Sequence, residues 1–319
     1  MQLICEDQTR LTFSFVLFVL FASLRLCVKH PFFSCLSCLS CVSWTRSVRK
    51  WIALLLILSG CGSEGTQGVE PPSGSGNSVS AKASRELRIA AAADLKFALP
   101  EMIARFEERH ADARVNATYG SSGSLFAQLS NEAPFDLFLS ADIDYPRKLV
   151  EQSPGEAGSD FAYATGHLVL WVPSESKLDV EHDGIAVLQD SSVQKIAIAN
   201  PKTAPYGRAA VASLKSLGVY EPLESRLVYG ENISQTAQMV ESGAADAGLL
   251  SLSLAVSRAL RDKGKFWPIP DDAHAPIVQG GAILGWARDP RLAAEFRDFL
   301  LSTEGAEILK RFGFVPAGE

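Results

Sequence analysis

The chain has 319 residues, a length typical of roughly two domains, and 47% of them are apolar. Beyond residue 61 there are 24 basic and 34 acidic residues, which give a net charge of −10. That region has no run of lysine or arginine, which argues against nucleic acid as a partner. All six cysteines lie in the first 61 residues and the later histidines lack metal-ligand spacing, so we expect neither an enzyme nor a cofactor.

Residues 1–45 contain an apolar stretch and the spacing Cys35-x-x-Cys38-x-x-Cys41, which superficially suggests a metal site. The segment precedes a complete signal peptide and has no fold-like pattern of its own. We interpret it as a leader without structural role, or as the product of a start codon assigned too early. The three cysteines are assigned no function.

Residues 46–61 have the plan of a lipoprotein signal peptide. A basic cluster precedes the apolar run 51–58, which is too short to span a bilayer. The run leads into Leu58-Ser59-Gly60-Cys61, which resembles a bacterial lipobox with Cys61 as the lipidated residue. We therefore expect a periplasmic or cell-surface protein anchored to a membrane through Cys61.

Residues 62–85 consist of glycine, serine, proline and small polar residues, with almost nothing to bury. This composition predicts a flexible tether. For a chain of this kind we expect a reach of roughly 25–30 Å, which is enough to let an anchored domain turn freely.

From residue 87 onward, apolar runs of strand length alternate with helical patterns. Strands are predicted at 87–92, 115–119, 137–139, 167–172, 195–199, 227–229, 247–250 and 282–286. Helices are predicted at 97–108, 124–130, 207–217, 234–242, 291–301 and 304–312. This alternation predicts an α/β protein with mainly parallel sheets flanked by helices, in which ligands bind beyond the carboxyl ends of the strands.

Three of the strand-to-helix turns are suited to an anion: 120–124, 200–207 and 230–234. Small residues let the backbone approach a ligand there, and the N–H groups of a helix start point outward. The first turn alone is explained as well by a helix cap with a flexible turn. Three helix N-termini facing one crevice would form an uncharged but electropositive cage for a tetrahedral oxyanion.

Five runs in these regions also carry a family resemblance: 90–99, 119–125, 133–142, 199–208 and 311–315. In this order they resemble the periplasmic molybdate-binding proteins of ABC transporters, substrate-binding proteins that serve the membrane permease subunits. The resemblance implies a type II periplasmic binding protein fold, in which two lobes close over an anion bound in the cleft between them. It places lobe 1 at 86–165 plus 272–319 and lobe 2 at 166–271.

The resemblance also implies a set of ligand-binding residues. The serine of the second loop corresponds to Ser122, and backbone N–H groups come from the positions of Tyr206 and Ile233. Ser251 stands where some members have a tyrosine. Asp94 stands where the family has a hydroxyl residue, and a carboxylate there would repel a dianion.

Two interpretations of Asp94 follow. In the preferred one, its side chain turns away and caps the next helix at Phe97, while its backbone N–H serves the ligand. In the other, the carboxylate accepts a proton from a protonated anion such as hydrogen phosphate. Lys96 and Arg208 are expected to be solvated surface residues, although either could offset the charge.

The sequence thus predicts a monomeric receptor that captures molybdate or tungstate for an ABC importer. The principal alternative is a receptor for another tetrahedral oxyanion, sulfate or phosphate. An enzyme on the same fold is disfavoured, because the loops offer neither histidine nor cysteine and Asp94 would be a lone base. A sensor that signals instead of transporting stays open.

Overall fold

The computed structural model describes residues 85–152 and 160–318; the leader, the signal peptide, Cys61 and the linker up to residue 84 lie outside this part. The strands are β1 Arg85–Ala92, β2 Ala113–Gly120, β3 Leu137–Ser140, β4 Asp160–Gly166, β5 Leu168–Pro173, β6 Ile196–Ala199, β7 Leu227–Gly230, β8 Ala247–Ser251, β9 Gly264–Pro268, β10 Ile277–Ile283 and β11 Val315–Pro316. The α-helices are α1 Ala98–Arg109, α2 Ser122–Leu129, α3 Asp144–Gln152, α4 Val180–Asp183, α5 Pro205–Ser216, α6 Tyr220–Leu223, α7 Ile233–Glu241, α8 Leu252–Ala255, α9 Pro290–Leu300 and α10 Thr303–Arg311. Short 3-10 helices span Ala93–Leu95, Gly184–Gln189, Glu224–Arg226 and Asp271–Ala273.

The strands form two sheets, one for each lobe, which confirms the predicted two-lobed α/β fold. The first sheet has the order β11-β4-β10-β3-β1-β2 and the second β7-β6-β8-β5-β9. The chain passes from the first sheet to the second between β4 and β5 and returns between β9 and β10. This gives the two crossovers that the resemblance implies, while the exact lobe limits stay a prediction.

The prediction of mainly parallel sheets is wrong, because both sheets are mixed. In the first sheet β1 is parallel to β2 and β3, but β10 is antiparallel to β3 and β4 and β11 is antiparallel to β4. In the second, β6 is parallel to β7 and β8, whereas β5 is antiparallel to β8 and β9. Two parallel neighbouring strands need a long crossover connection within one sheet. Strands β4, β5 and β10 lie where the chain passes directly from one sheet to the other, and they pair antiparallel with their neighbours.

The late strand was also predicted in the wrong place. It was expected at 282–286, but β10 occupies Ile277–Ile283. Strands β4 and β9 and helix α3 were not predicted. Two glycines and a glutamine interrupt the apolar pattern of β10. Because the residues that follow are more apolar, the pattern indicated a strand there.

Helices cover both faces of the first sheet, so adjacent strand residues enter different cores. Ile89 and Leu139 belong to the core beneath α1, α9 and α10, whereas Ala90 and Phe138 pack with α2 and α3. This arrangement leaves the carboxyl edge of β1, β2 and β3 as the open side of the sheet. No helix in the described ranges is long and apolar enough to cross a membrane.

Candidate functional site

A small cavity lies where the carboxyl ends of β1, β2 and β3 meet the first turns of α5 and α7. It is lined by Ala92, Ala93, Asp94, Gly120, Ser121, Ser122, Ala141, Ala204, Pro205, Tyr206 and Ile233. The centre of a water molecule can reach about 10 Å³ of it, space for about one water. None of these lining residues has a cationic side chain. The cavity brings together four of the five predicted site residues: Asp94, Ser122, Tyr206 and Ile233.

Direct hydrogen bonds close the two lobes around this cavity. Gly123 N–H, in the first turn of α2, donates to the Thr203 carbonyl of the second lobe at 2.8 Å. A Cβ at Gly123 would lie 2.7 Å from that carbonyl oxygen, so only glycine permits the approach. The cleft is therefore closed in this structure.

Ser122 is placed as the first residue of α2 and is 1% exposed. Its Oγ accepts a hydrogen bond from the backbone N–H of Ala141 at 2.9 Å. A hydroxyl that accepts from a backbone amide keeps its own hydrogen for donation. The neighbouring Ser121 supplies the helix cap by accepting from Ser124 N–H, which leaves Ser122 free of that role.

Tyr206 and Ile233 lie in the first turns of α5 and α7, where backbone N–H groups precede the first intrahelical bonds. In α7 the Asn232 side chain caps the next two amides, those of Ser234 and Gln235, each at 3.0 Å. The N–H of Ile233 comes before this cap. The first turns of both helices therefore bring backbone donors and a positive dipole end to the cavity.

Ser251, the fifth predicted residue, ends β8 and is fully buried, but it does not line the cavity. Its hydroxyl is hydrogen-bonded to that of Ser253 at 3.0 Å. Ser253 Oγ in turn donates to the backbone carbonyl of Asp94 at 2.8 Å. Ser251 thus acts on the site through Ser253, which holds the loop that carries Asp94.

The expectation that Asp94 caps the helix at Phe97 is wrong. Phe97 precedes α1 without any side-chain cap, and Asp94 lies instead within the short 3-10 helix after β1. Its carboxylate Oδ2 accepts from Gln279 Nε2, and the phenol of Tyr206 lies beside the carboxylate and favours its charged form. The side chain turns inward instead, where these hydrogen bonds only partly offset its loss of hydration.

Burial dominates the chemistry of this carboxyl group. Asp94 is 1% exposed, and loss of hydration raises its pKa to about 6, against the opposing effect of the hydrogen bonds from Gln279 and Tyr206. The backbone N–H groups of Asp94 and Leu95 add weaker stabilisation of the charged form. The second oxygen, Oδ1, is buried without a hydrogen-bond partner.

The partners of Asp94 belong to a buried network that spans both lobes. Gln279 Nε2 also donates to the Tyr206 hydroxyl at 3.2 Å, and Gln279 Oε1 accepts from the Tyr163 hydroxyl at 2.7 Å. Burial raises the pKa values of Tyr163 and Tyr206 well above their ordinary range, so both phenols stay neutral. Gly166, at the end of β4, passes so close that a Cβ there would lie 2.1 Å from the Tyr206 hydroxyl.

Two half-exposed contacts lie at the mouth of the cleft. Lys96 Nζ donates to Ser234 Oγ at 3.1 Å across the lobes. Arg208 forms an ion pair with Asp142 and a hydrogen bond to the Tyr145 hydroxyl. Both cations therefore form contacts between the lobes, whereas they were expected to be solvated surface residues.

Sequence reasoning missed Gln279, Tyr163, Ser253 and Gly166. The one signal available was a glutamine inside an otherwise apolar run, because a fully buried amide needs partners. Within the described residues, no group of three or more histidine, aspartate or glutamate side chains could hold a metal ion. The arrangement can therefore bind a small anion through N–H and O–H donors and a carboxyl group.

Comparison with known proteins gives a consistent result. Residues 87–315 match the family model described as bacterial extracellular solute-binding protein. A molybdate-binding protein, ModA of Rhodobacter capsulatus, is 37% identical over 73% of this chain and 89% of its own length. A putative ABC transporter substrate-binding lipoprotein of Bacillus subtilis, YvgL, is 32% identical over 72% of this chain and 85% of its own.

A solved structure agrees with these sequences. The periplasmic molybdate-binding protein of Azotobacter vinelandii superimposes with a TM-score of 0.66 at 33% identity. The superposition covers 72% of this chain and 98% of that protein. The similarity therefore extends over nearly the whole length of that relative.

Proposed function

Because the chain belongs to the bacterial extracellular solute-binding proteins, and within them is related to molybdate-binding proteins, we propose that it captures molybdate for an ABC importer. The permease subunits of that importer are its proposed partners. Tungstate, which has nearly the same size and charge, should occupy the same cavity. Capture proceeds by closure of the two lobes on the anion.

The observation that carries the proposal is the lining of the cavity. Its donors are the Ser122 hydroxyl and the backbone N–H groups of Tyr206 and Ile233, with no cationic side chain among them. Neutral donors at two helix N-termini can replace the hydration shell of an oxyanion without binding every anion through net charge. Such a site selects by size and by the number of oxygens that it can reach.

The enclosed position of the cavity supports capture by closure. The site is enclosed between the lobes, and residues from each lobe contribute donors. An open cleft would expose the same donors to water, where each hydrogen bond to an anion contributes less. We propose that the anion joins the lobes and so stabilises the closed form for recognition by the permease.

The proposal is one of binding, and we assign no catalysis to the site. An enzyme would need a nucleophile beside a base, and the lining offers Ser122 with its oxygen held by a backbone amide. Asp94 is engaged by Gln279 and by Tyr206, whose phenol burial keeps neutral. Alternatives that require a sensor or a different anion have no comparable observation in their favour.

We also propose that the protein works outside the cytoplasmic membrane as a monomer, anchored through a lipidated Cys61. The support is the lipobox-like run ending at that cysteine, together with the relative described as a lipoprotein. The linker that follows would let the two-lobed body turn toward a permease.

Calorimetric titration of the purified protein with molybdate, tungstate, sulfate and phosphate tests the proposal. Tight binding of the first two with little heat from the others is the expected result. A preference for sulfate or phosphate would assign the protein to a different oxyanion. No binding of any of the four would remove the proposed function altogether.

A further inference from the structure

We propose that Asp94 takes up one proton from solvent when the cavity receives a divalent oxyanion, and that the neutral acid then donates its O–H to the ligand through Oδ1. This inference rests on the proposed function and gives Asp94 a specific role in it. The carboxylate becomes a carboxylic acid, hydronium or the buffer acid loses the proton, and no bond within the anion breaks. Anion capture would therefore be coupled to proton uptake.

The hydrogen-bond directions around Asp94 identify the oxygen that takes the proton. Oδ2 accepts from the Gln279 amide. The Tyr206 hydroxyl accepts from the same amide at 3.2 Å, so its own hydrogen is directed to the Asp94 carboxylate. Gln279 presents its NH2 to Asp94 and its Oε1 to Tyr163, whose hydroxyl lies 2.7 Å from that oxygen and 3.2 Å from its other acceptor, the Ser140 carbonyl. A proton on Oδ2 would face donors, whereas Oδ1 has no hydrogen-bond partner.

The position of Asp94 makes a permanently charged form costly once an anion is bound. It lines the same small cavity as the proposed donors and is 1% exposed. A carboxylate and a dianion sharing such a site repel each other in a region of low dielectric. Protonation of Asp94 removes this repulsion and adds one donor to the cavity.

The titratable groups that face Asp94 do not supply a compensating charge. Tyr206 and Tyr163 are neutral phenols. At the cleft mouth, Tyr119 has a pKa raised by burial to about 12, and Lys96 and Glu231, which carry opposite charges, line the same opening; Lys96 bonds to Ser234 and not to Asp94. In the described part of the chain, no cation forms one of the hydrogen bonds to the Asp94 carboxylate. Burial already raises its pKa to about 6, and a bound dianion would raise it further.

The protonated carboxyl would take the role of the hydroxyl that the family resemblance implies at this position. A serine offers one O–H donor, and so does a neutral carboxylic acid. The difference is that the aspartate is a donor only when it carries a proton. Affinity for the anion should then depend on pH, which a serine at the same place would not cause.

The experiment is calorimetry of molybdate binding to the whole protein in pairs of buffers with different ionisation enthalpies. Around pH 7.5, where free Asp94 is ionised, we expect uptake of about one proton per anion and a Kd that rises roughly tenfold per pH unit. Below about pH 6 the uptake should fall, because the free protein already holds the proton. Binding of molybdate at pH 7.5 without proton uptake would overturn the inference while leaving the proposed function intact.

Variants distinguish Asp94 from other groups that could take up the proton. Asp94→Asn keeps a donor and an acceptor but does not titrate, so its molybdate binding should show almost no proton uptake and little pH dependence. Asp94→Ser provides the same test if the Asp94→Asn variant does not fold. His167, which contacts Asp271 near the crossover, is the matched control, and His167→Asn should retain the full uptake. Uptake that persists in both Asp94 variants would refute the inference. Absence of binding by every oxyanion would instead refute the proposed function.

Discussion

Two kinds of contact join the lobes, and they differ in their access to water. The network of Asp94, Gln279 and Tyr206 is 0–2% exposed and connects side chains through directed hydrogen bonds. At the mouth, Arg208 pairs with Asp142, but the Arg208 side chain is 42% exposed. A hydrogen bond in a dry interior is strong and its loss is costly, whereas an exposed ion pair contributes about 0–1 kcal/mol.

The same closed shape is therefore held by contacts of unequal strength. The buried network should set the free energy of the closed state and hence the lifetime of the bound anion. The charged contacts at the mouth should act mainly on the rate of association and on its dependence on salt. Each prediction below tests one side of this division.

The largest effect is expected from Gly166→Ala. The new Cβ would lie 2.1 Å from the Tyr206 hydroxyl and 2.7 Å from Gln279 Nε2, so the network must move or the lobes must stay apart. We expect a loss of about 3 kcal/mol in anion-binding free energy, measured by calorimetry, because overpacking and a broken buried network add together.

A second substitution tests the cause of that loss. In the Gly166→Ala background, Tyr206→Phe removes the hydroxyl that the Cβ would meet, so part of the affinity should return. The backbone N–H of Tyr206 is unaffected by this change. A double variant as weak as the single one would mean that Gly166 matters for the crossover itself and not for the network.

The sequence predicted the parts of this site that follow from local patterns. Small and capping residues mark the strand-to-helix turns, and the family resemblance implies Ser122 and Ile233 within them; both line the cavity. Asp94 was identified as a site residue, but its orientation was predicted wrongly. Capping is a local interaction that a sequence can suggest, whereas the partner that Asp94 uses is 185 residues away.

The rest of the site depends on tertiary pairing. Gln279 lies on β10, whose position was predicted five residues too late at its start, and Tyr163 lies on β4, which was not predicted. Both strands pair antiparallel near the crossovers, and the simple alternation of strands and helices does not indicate such pairing. When the neighbours of a strand are not known, the sequence does not predict which side chains that strand brings to the site.

The second effect in size is expected from Ser122→Ala, which removes a buried hydroxyl from the cavity. We expect binding to weaken by roughly 1–3 kcal/mol, the usual cost of leaving a charged acceptor short of one donor. Ser130→Ala, at the exposed end of the same helix, is the matched control and should leave affinity unchanged. Equal affinities for the two variants would remove Ser122 from the ligand shell.

The smallest effect is expected from Arg208→Gln at the cleft mouth. Loss of the ion pair with Asp142 should change the Kd by less than about fivefold, because the pair is exposed and screened by salt. The association rate, followed by stopped-flow fluorescence, should fall more at low than at high ionic strength. Arg261→Gln breaks a pair with the adjacent Asp262 and should change neither quantity. A tenfold or larger rise in Kd for Arg208→Gln would mean that contacts at the mouth hold the lobes as firmly as the buried network does.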